Sequence, residues 1–344
     1  MPKKNNYTLK ESSLNYIFSI SAMLILSFIL FYIITSVMNS TGKTYEEVCS
    51  QSWVAYLNII FSALSFFIVF FAFNLITKKN FVKASRLEFR FNYKIFLLIV
   101  FLAILSVFAC VNATNLFNYF AGVLTSTPVS NSLGVNLKSF GDFCLITLLY
   151  AILPSVGEEL VFRGIIYNGL REKFSAKTSI IISAVLFALV HFSIFKTFYQ
   201  LILGLILGLI VYFTGSIVYC MIFHLINNFV VLLVSYISQG VSIFEFAFFG
   251  VLEIILSVVI LVVGIIIAFF IFKLIRKIAL KHKNYYRLES TSEPLYNYFN
   301  QELVQGDKKI DKNNLDKNEN DGKFLLIVSI AIAVLLWLTM SLGG

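Results

Sequence analysis

Apolar runs broken by short polar intervals fill most of the chain, at roughly 16–38, 53–76, 95–115, 142–170, 178–195, 197–214, 216–238, 247–272 and 324–342. A helix needs about 20 such residues to cross the hydrocarbon core of a bilayer. In that medium no water satisfies the backbone, so each run is expected to be helical. The pattern predicts an all-α polytopic membrane protein, a helical bundle of about eight to nine transmembrane helices. Lys3, Lys4 and Lys10 precede the first run, as in a secretory signal. That run is too long for a signal core and lacks an A-x-A site, so it reads as a retained helix.

Composition agrees with this reading. Of the 344 residues, 59% are hydrophobic and 13% charged, against about 45–50% and about 25% in soluble domains. A water-soluble globule and a disordered chain are both excluded. The 27 Lys and Arg outnumber 18 Asp and Glu, giving a net charge of +9. On a membrane chain this excess orients the spans and meets anionic lipid, and no nucleic acid is implied.

Basic residues crowd the N-terminus, then 78–94, 171–177 and 273–287, whereas the loops near 39–52, 116–141 and 239–246 hold only Lys43 and Lys138. Positive charge thus alternates with each crossing, which predicts a multi-pass protein of the cell membrane with a cytoplasmic N-terminus. An odd number of spans would put Gly344 outside. Cys49, Cys110, Cys144 and Cys220 lack metal or disulfide spacing and read as small core hydrophobes.

Charged groups at the centre of a span cost roughly 2.5–3.5 kcal/mol on insertion scales, so each one suggests function. The fourth run carries Glu158, Glu159 and Arg163, the fifth His191, the seventh His224 and Asn228. The only other histidine, His282, falls in the basic linker. Glu158 lies 13 residues before Arg171, and His191 lies 14 residues after Lys177. Both therefore stand about 20 Å up an antiparallel hairpin. His224 and Asn228, spaced i, i+4, share a helix face. Pro154 removes a backbone donor and frees the carbonyl four residues earlier, and Gly157 loosens the same segment. Gly204 and Gly208 form a G-x-x-x-G spacing that suits close helix packing.

A carboxylate beside imidazoles and an amide suits activation of water. Glu158 would accept a proton, with His191, His224 and Asn228 binding a divalent metal, zinc by preference, or stabilising an oxyanion. Spacing does not separate these two alternatives. A structural Glu–Arg ion pair and satisfied core histidines are the plainer readings of the same residues. No H-E-x-x-H is present, and Asp142 is the only Asp before the linker. A Ser–His dyad through Ser183 or Ser216 would leave the Glu pair unexplained. Glu253 reads as structural.

The stretch from about 140 to 235 resembles the type II CAAX prenyl endopeptidases and their bacterial relatives, the CAAX proteases and bacteriocin-processing enzymes, which include lysostaphin resistance protein A. The motif E-E-x-x-x-R is present as Glu158, Glu159 and Arg163, F-x-x-x-H as Phe187 and His191, and H-x-x-x-N as His224 and Asn228. The resemblance implies an intramembrane endopeptidase, usually described as metal-dependent, with Glu158 activating water. His191, His224 and Asn228 would complete its site, and Glu159 and Arg163 would support it. The implied metal ligands are His191, His224 and Glu158, and the implied substrate is a membrane-associated peptide or protein C-terminus.

The chain then divides into N-terminal helices (1–139, about three), a CAAX protease-like core (140–238), an additional helix (239–272), a basic then polar cytoplasmic linker expected to be disordered (273–323) and a C-terminal helix (324–344). The basic opening of the linker suits anionic headgroups or plain solvation. Two rivals use the same residues: a non-catalytic membrane factor for bacteriocin self-immunity or envelope resistance, and a transporter relaying protons through Glu158, His191 and His224.

Overall fold

The computed structural model describes residues 6–125, 137, 139–238, 250–281 and 312–342. Its described residues form helices and connecting turns, with no strand. The principal helices are α1 (Leu9–Thr41), α2 (Ser52–Thr77), α3 (Tyr93–Thr125), α4 (Phe140–Leu170), α5 (Ala176–Leu189), α6 (Ile194–Thr214), α7 (Ile217–Ile237), α8 (Val251–Leu280) and α9 (Lys312–Leu342). One-turn helices at Tyr45–Cys49 and Phe81–Ala84 sit in the connections. All except α5 contain a stretch long and apolar enough to cross a bilayer, which makes eight such helices among the described residues. The protein is an all-α polytopic membrane protein.

Local chemistry sets several ends. Thr8 and Glu11 form a capping box at the start of α1, each side chain bonding the other residue's backbone N–H. Gly42 closes α1 and Gly215 closes α6, both in the left-handed region that glycine enters freely.

Two sequence expectations change. The run at 178–195 is not a span: α5 has only 14 residues, about 21 Å against a core of about 30 Å. The linker is also shorter than 273–323, because α8 continues to Leu280 and α9 already begins at Lys312. Ile275 and Ala279, four apart, are buried on the extension of α8, and cations in a last turn complement the helix dipole. The expected disorder of the intervening 282–311, together with His282, lies outside the described residues, as does Lys138. Cys110 and Cys220 are buried as expected, but Cys144 is exposed and Cys49 only partly covered.

The charged connections converge on one end of the bundle. The Leu9 N–H donates to Glu172 (2.7 Å), Lys79 donates to the Asn6 carbonyl (2.7 Å), and the Ile217 N–H donates to the Arg86 carbonyl (3.1 Å). Tyr219 donates to the Arg90 carbonyl and accepts from the Asn92 N–H. Lys94 of α3 shares a crevice with Lys277 and Lys281 of α8, and Lys10 pairs with Asp321 of α9 at 3.1 Å. The segments that alternate as basic along the chain therefore meet in space. Glu253 sits at the other end of α8, in its first turn.

At the centre α5 packs tightly on α6. A Cβ on Gly204 would lie 2.9 Å from Ala184 Cα, and one on Gly208 would lie 2.8 Å from Ile180 Cγ2. The packing role expected of this glycine pair is thus met. The obstacle at Gly204 is backbone, whereas at Gly208 it is the Ile180 side chain, with its Cγ2 nearest. Gly204→Val is expected to lower stability by about 1–3 kcal/mol, and Gly208→Ala by clearly less. Thermal unfolding of the full chain in detergent measures both.

Candidate active site

Helix α4 is irregular where it carries the acidic pair. Wide π-type turns at Thr147–Ile152 and Phe162–Tyr167 flank the α-helical stretch Leu153–Val161. Such turns, like prolines, redirect side chains and free backbone groups. In α-helical register Pro154 would leave the Tyr150 carbonyl without its donor. Asn228 of α7 supplies one, its Nδ2 donating to Tyr150 O at 3.2 Å. One of the two amide donors of this expected site residue is therefore engaged in joining α7 to the broken backbone of α4.

Glu159 and Arg163, four residues apart, form an ion pair of 2.9 Å with both side chains fully buried. Arg163 also donates through Nη2 to the carbonyl of Gly204 (3.1 Å), and its guanidinium lies 4.6 Å from the centre of the Phe187 ring. The same Glu159 oxygen, Oε1, accepts from Nδ1 of His224 at 3.0 Å. A carboxylate can only accept, so the proton sits on Nδ1 and the lone pair of Nε2 is left free. Nε2 lies 3.9 Å from Oε2 of Glu158. Glu158 and His224 thus face each other across a gap just longer than a hydrogen bond, and both are buried.

His191 follows the end of α5. Its Nδ1 lies 2.8 Å from the Phe187 carbonyl, which again places the proton on Nδ1 and leaves Nε2 free. The next residue, Phe192, is in the left-handed region at φ 46°. That conformation costs an ordinary side chain on the order of 1–2 kcal/mol, and strain of this kind gathers at functional turns.

Three side chains of the expected site, Glu159, Arg163 and His224, form one bonded cluster, with Glu158 against His224. His191 joins through Phe187, whose ring contacts both imidazoles, at 5.2 Å to His191 and 6.1 Å to His224. Ser183 and Ser216 take no part, since Ser183 points at the Phe162 carbonyl and Ser216 caps α7.

The expected metal shell of His191, His224 and Glu158 is not assembled. Among the described residues no three His, Cys, Asp or Glu side chains gather into a group that could hold an ion. Each imidazole packs edge-on against Phe187 instead. Both free Nε2 atoms have the orientation that ligating histidines show, and Glu158 Oε2 lies 3.9 Å from that of His224, but His191 is not gathered with them into a three-ligand group, so the residues as placed do not complete a metal shell.

Two contributors escaped the sequence reading. Phe187 was visible only as a motif letter, yet its ring touches Arg163 and both imidazoles. Asn227, beside Asn228, is fully buried between Tyr199 and Ser106, accepting from one and donating to the other (2.9 and 3.0 Å). The apolar run around these residues carried no signal for either role.

Replacing Glu159 by Gln leaves Arg163 an uncompensated buried cation, which is expected to cost about 3–5 kcal/mol. Glu158→Gln breaks no bonded pair and is expected to leave stability within about 1 kcal/mol. Denaturation of both variants in detergent reads the contrast. Asn228→Leu is expected to cost about 1–3 kcal/mol, because the Tyr150 carbonyl loses its donor.

The chain as a whole matches no curated protein and no solved structure. Residues 140–230, the stretch that holds all three motifs and the whole cluster, match the family model described as type II CAAX prenyl endopeptidase Rce1-like.

Proposed function

We propose that the protein is an intramembrane endopeptidase that cleaves a membrane-associated peptide or a protein C-terminus with water activated by Glu158. The observation that carries this reading is the buried approach of Glu158 to a histidine whose tautomer Glu159 sets. The match of residues 140–230 to a peptidase family supports it.

The steps follow from the protonation each group holds. Water between the substrate carbonyl and Glu158 gives a proton to the carboxylate as its oxygen bonds to the carbonyl carbon. The C–N bond then breaks, and the amine nitrogen takes a proton from the Glu158–His224 pair. His224 Nε2, turned toward Glu158, receives and passes that proton. Glu159 acts through His224, holding the ring in place and stabilising its cationic form. Arg163 pairs with Glu159 and holds its carboxylate against His224. Asn228 and Phe187 position the helices that bring these groups together, and His191 borders the same site with a free Nε2. A metal would polarise the carbonyl and acidify the water, but no step here depends on one. By the positive-inside rule the basic end of the bundle faces the cytoplasm, and so does the N-terminus.

Glu158→Gln is expected to lower the cleavage rate by at least about 10²–10⁴-fold, with abundance and unfolding unchanged. Comparison of the membrane peptidome of cells carrying either form reads this. An unchanged biological phenotype in the variant would point to a non-catalytic factor instead. Cleavage by purified protein is expected to survive exhaustive chelation. Activity lost to chelator, restored by zinc and absent in His191→Ala would bring a metal into the site.

A further inference from the structure

A groove lies outside the catalytic cluster, on the face of α6 turned away from α5. It has a volume of about 740 Å³ and runs between α3, α6 and α8, walled by Leu105, Ile206, Leu261 and Phe269 among others. Gly204 and Gly208 fill the opposite face of α6 with the α5 contact, so groove and cluster sit back to back across one helix. We infer that this groove binds one anionic phospholipid, with an acyl chain in the apolar cleft and its headgroup phosphate held by Lys273 and Arg276.

Three observations select that occupant. The first is chemical: the one hydroxyl on the wall, Ser106, is already engaged, donating to the Ala103 carbonyl and accepting from Asn227. The cleft therefore offers hydrocarbon almost no competing polar partner, and burying a polar ligand there would leave its groups unsatisfied.

The second is dimensional. From Leu261 to Phe272 the wall on α8 covers 12 residues, whose 11 steps rise about 16 Å along the helix. One leaflet of hydrocarbon is about 15 Å deep, half the core. The groove thus has the depth of a single acyl layer and ends where headgroups begin.

The third is charge. Lys273 and Arg276 line the groove at that end, and both are exposed. Lys273 lies 5.1 Å from the centre of the Phe269 ring, on the groove wall. Among the described residues no carboxylate pairs with either cation. A zwitterionic headgroup would set its own cation against them, whereas an anionic one leaves the phosphate to both.

The test uses the full chain in a nonionic detergent, with native mass spectrometry while dioleoylphosphatidylglycerol or dioleoylphosphatidylcholine is titrated in. One phosphatidylglycerol is expected to stay bound, with phosphatidylcholine weaker by about tenfold or more. Replacing Lys273 and Arg276 together by Ala should weaken phosphatidylglycerol by about thirtyfold and leave phosphatidylcholine unchanged. Ala268→Phe, which fills the cleft without touching charge, should weaken both lipids. Lys94→Ala with Lys277→Ala, in the neighbouring crevice, should weaken neither. Equal retention of the two lipids, wild-type retention by the double Lys273/Arg276 variant, or indifference to Ala268→Phe would each overturn the assignment. So would preferential occupation by an uncharged isoprenoid alcohol. All the substitutions except Ala268→Phe are at exposed side chains, so a folding defect in that one variant leaves the charge comparison intact.

Discussion

The arrangement depends on one buried anion. The Glu159 side chain has no access to solvent, and a carboxylate in such a place persists only if cations and donors surround it. Its oxygen Oε1 takes both Arg163 and His224. Through that single atom α4 is bonded to α7. Arg163 extends the junction to α6 by the Gly204 carbonyl and to α5 by the Phe187 ring. Four helices thus meet on one ion pair, in a medium where the hydrophobic effect does little to press helices together. The close approach at Gly204 belongs to the same junction, since it lets α6 lie against α5 while its carbonyl reaches the guanidinium.

Around that junction the polar residues divide into those bonded between helices and those left without such bonds. Glu159, Arg163 and one donor of Asn228 are engaged in bonds that join helices. Glu158 and the Nε2 atoms of the two histidines are left without such bonds. Neighbours on a helix differ by about 100° in direction, so Glu158 and Glu159 cannot share a surrounding. One is drawn into the bonded junction and the other faces the histidine. Near the proline and the first π-type turn of α4, Asn228 donates to the Tyr150 carbonyl and ties α7 to that segment.

The membrane class, the helices and the identity of the polar residues could be read from hydropathy and spacing, because a charge inside a long apolar run stands out whatever the tertiary structure. The level placement of Glu158, His191 and His224 followed from counting residues up from the basic loops. The break after α5 was read a few residues too late, at Lys196, because the turn from Val190 to Ser193 is apolar enough for hydropathy to read it as helix. The helical ends at 273–280 and 312–323 were hidden for the opposite reason: their charges masked a continuing helix, held in α8 by Ile275 and Ala279. The partners of Asn228 and Phe187 depend on which faces meet across helices. A single strand of text does not carry that information.

The short α5 has a consequence for the approach to the site. It rises from the basic end of the bundle and stops about 9 Å below the far edge of a 30 Å core. Its polar turn at Ser193, and the free nitrogen of His191, therefore lie at a depth where neighbouring helices are still surrounded by acyl chains. Protein covers the approach to that turn, since Leu186, Phe187, Ala188, Leu189 and Val190 are buried and Trp337 of α9 donates to Thr197 just beyond it, so non-helical backbone at that depth is tolerated. A polar turn held part-way across the core shortens the path from the far aqueous face to Glu158 and His224.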